Sequence, residues 1–290
     1  MLVSLAAGAG LGHCKCFTAS VAMLLHVRMS LMSQTITETR NDGRKPDQLR
    51  PYTFETGFIK TAEGSVLVSC GETRVIVTAK VDPSLPPFLK DAAKNPETSQ
   101  GWITAEYAML PGSTQDRCRR ERDKVNARSL EIQRLIGRSL RAMVDLKKLP
   151  PISINIDCDV IQADGGTRTA SITGAYVAVY KCLEHLQKNG VTIKDEHIMP
   201  FKDGLPIENQ VAAISVGIRN DEALLDLNYE EDSTAQADGN FILTSSGDII
   251  EIQTTAEAGV ITQDQFNKML DLAQKGIKDL CQLQNKALSS

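Results

Sequence analysis

Between Asn126 and Lys188 the spacing of apolar residues changes twice, and no all-helical or all-strand fold accommodates that change. Over residues 126–149, Ile132, Leu135, Ile136, Leu140 and Met143 recur at helical spacing, with Arg134, Arg138 and Arg141 on the opposite face. Pro150 and Pro151 are expected to stop this helix. Residues 152–160 then alternate, Ile152, Ile154, Ile156 and Val160 against Asn155, Asp157 and Asp159, the period of a half-buried strand. Gly165-Gly166 breaks that pattern, and a second helix is predicted to about Lys188.

The flanks are richer in strands. Residues 62–82 read as a hairpin turning at Gly71-Glu72-Thr73. A loop with Pro86, Pro87 and Pro96 leads to a short strand over 102–110. Four more strands are expected at 210–218, 223–230, 240–245 and 248–256, the last two joined at Ser246-Gly247, before an amphipathic helix over 263–288. Strands, helix, strand, helix, strands, helix is an α+β order, a mixed sheet with packed helices. It disfavours a doubly wound parallel sheet.

A net charge of −4 excludes a uniformly basic coat, so any nucleic-acid site must be a local patch. Seven cysteines without a CxxC pair, and four histidines without zinc-ligand spacing, predict a reducing, cytoplasmic setting and no structural metal. The apolar run at 17–27 is too short to span a membrane, and only Lys15 precedes it as a positive charge. Residues 1–31 therefore read as a disordered extension or an annotation artefact, with the true start at Met29 or Met32 and a single domain over 32–290.

Four segments carry candidate chemistry. Residues 163–171 follow a strand and open a helix. Gly165 and Gly166 let backbone approach a ligand, the first helix amides attract an anion, and Arg168 adds a fork of donors. Taken locally, the turn equally fits a tight connection with a solvated arginine. Arg128, four residues before Ile132, falls on the core side of its helix, where it would face the same anion or pair with Glu131. Arg117, Arg119, Arg120, Arg122 and Lys124 form a basic run that is either a solvated surface or an RNA-phosphate patch. Asp232 and Asp238 are six apart, on one face if the chain is extended there. They fit a site for a hard cation or a proton-transferring pair, or else a polar strand end.

DQLRP at 47–51, AEGSVLV at 62–68, GWITAEY at 101–107 and EIQRLIGR at 131–138 resemble the ribonuclease PH family. So do DCDVIQADGGTRTASITGA at 157–175 and EDS at 231–233. The resemblance covers residues 41 to the C-terminus. It implies a fold like the second domain of ribosomal protein S5 and a homohexamer built as a trimer of dimers. It further implies reversible phosphorolysis that removes nucleotides 3′ of the CCA end of transfer RNA precursors, with inorganic phosphate as co-substrate and nucleoside diphosphates as products. Carried over by position, Arg128, Gly166, Thr167 and Arg168 bind phosphate, while Asp232 and Asp238 are catalytic and hold Mg²⁺. A catalytically silent RNA-binding subunit of an exosome-like ring is the rival, and such subunits lack the arginines or carboxylates that this chain keeps.

The chain departs from the family in places. The loop at 86–100 is longer and the basic segment at 112–127 shorter, and an extra stretch occupies 195–208. Gly239 stands where methionine is usual, and Thr254 where glycine is usual.

Overall fold

The computed structural model describes residues 40–121, 125–193, 195–201, 204–257 and 259–289. Residues 1–31, with the expected start at Met29 or Met32, lie outside these, as do Arg122 and Lys124 of the basic run. Residues 44–290 make up one compact unit; residues 40–43, at the end of the other, form a turn in which the Gly43 N–H donates to the Arg40 carbonyl at 2.7 Å.

Strands β1 (Tyr52–Thr56), β2 (Gly64–Cys70), β3 (Thr73–Asp82), β4 (Trp102–Met109) and β5 (Ser153–Gln162) build one sheet in the order β1-β2-β3-β5-β4. β5 is antiparallel to β3 and parallel to β4, so the sheet is mixed. Its alternation holds: Ile154, Ile156 and Val160 are fully buried, Asn155 and Asp157 are half-buried and Asp159 is exposed. Helix α1 (Ala127–Arg141) lays Ile132, Leu135, Ile136 and Leu140 into the core.

The first helix ends at Arg141, well short of the expected residue 149. Its end is decided by a distant segment. The Met143 carbonyl accepts from the Glu208 and Asn209 N–H groups, and the Asn209 side chain donates to the Ala142 carbonyl at 2.9 Å. The hydrogen bonds that another helical turn would need are thus made to the end of the extra 195–208 stretch and its neighbour.

Helix α2 (Thr167–Asn189) is buried on most of its circumference, packing on β2 and β3 with one side and on a second sheet with the other. A hairpin, β6 (Val191–Ile193) and β7 (Glu196–Ile198), follows it. The second sheet comprises β8 (Val211–Arg219), β9 (Glu222–Leu225), β10 (Ala237–Thr244) and β11 (Ile249–Ala256) in the order β11-β10-β8-β9, all antiparallel. The strand expected over 223–230 stops at Leu225. Asp226 takes a left-handed φ of 55°, and the chain then enters a short helix, α3 (Tyr229–Ser233). Helix α4 (Gln263–Leu288) covers β8 and β9 with the expected apolar face, burying Met269, Ala273, Ile277 and Leu280.

Two of the departures from the family are one packing event. Gly239 on β10 and Thr254 on β11 are directly paired across the ladder. A Cβ at Gly239 would lie 3.0 Å from both Thr254 Oγ1 and Phe241 Cε2, and 3.2 Å from Met269 Cε. The larger residue on β11 occupies room that the missing side chain on β10 leaves. Gly239→Met alone is expected to overpack this spot and cost about 1–3 kcal/mol. In a Thr254→Gly background the same change should cost less. A double-mutant cycle by denaturant unfolding measures the coupling, and additive losses would show that the two positions share no space.

Candidate active site

The turn from β5 into α2 is held open by glycine. Gly165 and Gly166 have φ of 73° and 65°. A Cβ at Gly165 would come within 2.7–2.9 Å of the 227–229 backbone, and one at Gly166 within 2.8 Å of Arg50 Nη2. Thr73 Oγ1 pins the turn, accepting the Asp164 N–H at 2.8 Å and donating to the Gly165 carbonyl at 2.7 Å. No side chain caps α2, whose first residue is Thr167 and whose N-terminal end carries partial positive charge. The Thr167 hydroxyl is fixed 2.8 Å from Tyr107 Oη.

Gly166, Thr167, Arg168, Arg128, Asp232 and Asp238 line one cleft of about 690 Å³. The structure thus brings together every phosphate-binding and catalytic residue expected from the sequence, though not always for the expected reason. Arg128, in the first turn of α1, is exposed rather than turned to the core, and it reaches the cleft from the helix end. Glu131 pairs with Arg168, at 3.3 Å, and not with Arg128. Asp232 and Asp238 are not aligned by an extended chain: Asp232 rides on α3 and Asp238 on β10, and folding brings both to the one cleft.

Burial pushes the Asp232 carboxyl above its ordinary value of 3.8, against the pull of Arg128, Arg168 and Arg50. Burial also raises Asp238, helped by the charges of Asp232 and Glu257 and opposed by Arg168. A cleft lined both by cationic groups and by carboxylates that burial makes reluctant to ionise can bind an anion and deliver a proton beside it.

Sequence reasoning missed what holds these groups. Arg168 Nη1 also meets Gln253 Oε1 at 3.1 Å, and Gln253 Nε2 donates to Glu131 at 2.9 Å and Glu251 at 3.1 Å. Arg50 sits beneath the glycine turn, donating to the Asp164 carbonyl at 2.6 Å and to both Asp226 carboxylate oxygens at 2.7 and 3.1 Å. Arg44 donates to the Asp226 carbonyl at 2.9 Å and pairs with Glu231 at 3.3 Å. Glu231 in turn closes a capping box with Asn228 that starts α3. The phosphate turn and the acidic helix therefore share one buried ionic support. The Asn228/Glu231 spacing is visible in the sequence, but its partners are far away along the chain. Glu257, a third carboxylate on the cleft, carries no local signal at all.

Arg117, Arg119 and Arg120 are exposed and do not line the cleft, which Thr114, Gln115 and Asp116 of the same segment do. Arg138 is tied to Glu251 at 2.7 and 2.8 Å, and Arg141 lies 4.6 Å over the Trp102 ring while donating to the Ile103 carbonyl. Of the three arginines on α1's outer face, only Arg134 makes no ion pair or hydrogen bond among the described residues.

A mixed sheet, a second antiparallel sheet and one cleft joining an open helix start to paired carboxylates define an α+β enzyme that handles anionic substrates. The pattern of the 3′ exoribonuclease family, domain 1 (RNase PH), matches residues 48–182, and that of its domain 2 matches residues 209–276. The chain belongs to the RNase PH family of 3′ exoribonucleases. Ribonuclease PH of Crocosphaera subtropica is 52% identical over 250 residues, covering 86% of this chain and 98% of the relative. Ribonuclease PH of Bacillus subtilis is 51% identical over 252 residues, covering 86% and 96%. Among solved structures, an Archaeoglobus fulgidus exosome chain, from a structure with RNA bound to the active site, superposes with a TM-score of 0.69 at 22% identity, covering 90% of this chain and 98% of that one. Rice Rrp46 gives 0.65 at 19%, covering 86% and 100%. At these identities the structural neighbours bear on the fold alone.

Proposed function

We propose that this protein is a phosphorolytic 3′→5′ exoribonuclease that removes nucleotides 3′ of the CCA end of transfer RNA precursors. The observation that carries this reading is the single cleft in which Arg128, Arg168 and the start of α2 face Asp232 and Asp238. Inorganic phosphate sits against the arginines and the Gly166-Thr167 amides, which offset the repulsion between two anions. A phosphate oxygen attacks the terminal phosphorus, the bond to the neighbouring 3′ oxygen breaks, and that oxygen takes a proton. Asp238, with its raised affinity for a proton, is the donor. The products are a nucleoside diphosphate and an RNA one residue shorter, and the reverse reaction adds a residue.

Two carboxylates lining one cleft are the number that Mg²⁺ uses when water and substrate oxygens fill its other positions, so Asp232 and Asp238 suit it. No group of three or more His, Cys, Asp or Glu suited to a metal occurs among the described residues, which argues against an all-protein cage. When bound, the ion would supply positive charge to the leaving oxygen.

The reading includes a homohexamer, a trimer of dimers, in which neighbouring copies of Arg117, Arg119 and Arg120 lengthen a short basic track. It also places the enzyme in the cytoplasm, consistent with five described cysteines that are all free thiols. Among the described residues, no helix is long and apolar enough to cross a membrane. A silent ring subunit is not favoured, since Arg128, Arg168, Asp232 and Asp238 are all kept.

Incubation with a 3′-extended transfer RNA should shorten it only when phosphate is present, with nucleoside diphosphates as products. Efficient shortening in phosphate-free buffer with Mg²⁺, giving monophosphates, would mean hydrolysis and would overturn the reading.

A further inference from the structure

One side chain at the cleft serves neither phosphate nor proton. Tyr229, the first residue of α3, lines the cleft beside Asp232 and Ser233 yet is 60% exposed. Among the described residues its ring and hydroxyl make no hydrogen bond and no ring contact. It is a large amphipathic group held in water at a substrate cleft, where burial in the core would otherwise stabilise it.

Its backbone is not free. The Tyr229 N–H donates to Asp164 Oδ1 at 3.3 Å, and the preceding residue caps the helix. The same backbone runs so close to Gly165 that an added Cβ would lie 2.8 Å from Tyr229 N. The ring is therefore mounted on the glycine turn that the phosphate approaches. An exonuclease that removes whatever residue comes next must accept every base. Hydrogen bonds to base edges would discriminate, whereas an aromatic face stacks on all of them.

We infer that the Tyr229 ring is the stacking platform for the base of the RNA 3′-terminal nucleotide, a role that rests on the exoribonuclease reading. It is a positioning residue, holding the terminal nucleotide so that its phosphodiester meets the phosphate.

The test uses the full chain and a short RNA with 2-aminopurine at its 3′ end, in the absence of phosphate. Binding to the unmodified protein should quench the terminal probe more strongly than a probe placed well upstream. Equal quenching at the two positions overturns the inference without any variant. Tyr229→Leu should lose the terminal quench and raise KM for RNA by roughly 5- to 150-fold. KM for phosphate should stay within about twofold, and Tyr229→Phe, which keeps the ring, should restore most of the RNA affinity. A folded Tyr229→Leu protein with unchanged quench and KM for RNA sinks the proposal. Phosphorolysis without any terminal quench does so too, while leaving the enzymatic reading standing. A terminal quench without phosphorolysis supports the platform and removes the exoribonuclease reading.

Discussion

Asp226→Ala should cost roughly 3–5 kcal/mol of stability and lower the melting temperature by about 6–20 °C. Asp226 is fully buried and is the partner of Arg50, which is itself 4% exposed. Removing the carboxylate leaves the nearly buried Arg50 guanidinium without its ion-pair partner, while Arg44 keeps its pair with Glu231. Against a total stability of about 5–15 kcal/mol this is a large share. Alanine is also poorly suited to the left-handed φ of 55°, which asparagine tolerates better, so Asp226→Asn separates the charge from the backbone. Burial alone would raise the Asp226 carboxyl, but the charge and bonds of Arg50, with Arg44, hold it below the ordinary 3.8. A folded-state value below the unfolded one means that this stability is present above about 3.8 and is lost as pH falls through the lowered value. Denaturant unfolding at neutral and acid pH checks both points. A variant with wild-type midpoint at neutral pH would show that the ionic support contributes little.

Asp238→Asn should lower turnover by about 10²- to 10⁴-fold, the range of a lost general acid or base. RNA binding should barely change, and added phosphate should not recover the rate. Arg128→Ala should fail differently, raising KM for phosphate roughly ten- to a hundredfold with partial recovery at high phosphate. Stability should move the other way from activity. The Asp238 carboxyl is held above its ordinary value, so its contribution is full below about 3.8 and is lost as pH rises through the raised value. At neutral pH the amide removes that loss, and Asp238→Asn should melt no lower than the parent. Wild-type turnover in Asp238→Asn would reduce the acidic pair to a polar surface.

Much of this site was readable one element at a time. Gly165-Gly166 between an alternating strand and a helix announces a close backbone approach, because only glycine tolerates the left-handed turns there. The apolar rows of α1 and α4 announce their buried faces, and the structure buries them. Arg128, Arg168, Asp232 and Asp238 were each defensible as solvated charges when read locally. Resemblance to a family, not their spacing, tied them into one site.

What the sequence by itself determined, β1, the β6–β7 hairpin and α3 excepted, is therefore the longer helices and most of the longer strands, the α+β class and the residue types available for anion and proton chemistry. These follow from short-range physics, the 2.0 and 3.6 periodicities and the backbone freedom of glycine. The end of α1 at Arg141 was decided by the backbone and side-chain N–H groups of residues 208 and 209, which take the Ala142 and Met143 carbonyls. The exit of the chain after Leu225 was decided by Arg50, 176 residues before Asp226 in the sequence. The pairing of Gly239 with Thr254, the Glu131–Arg168–Gln253 contacts and the meeting of Asp232 with Asp238 belong to the tertiary structure for the same reason. Hydrogen bonds, ion pairs and packing act over a few ångströms of space, and which residues stand that close is set by how the two sheets fold around α2.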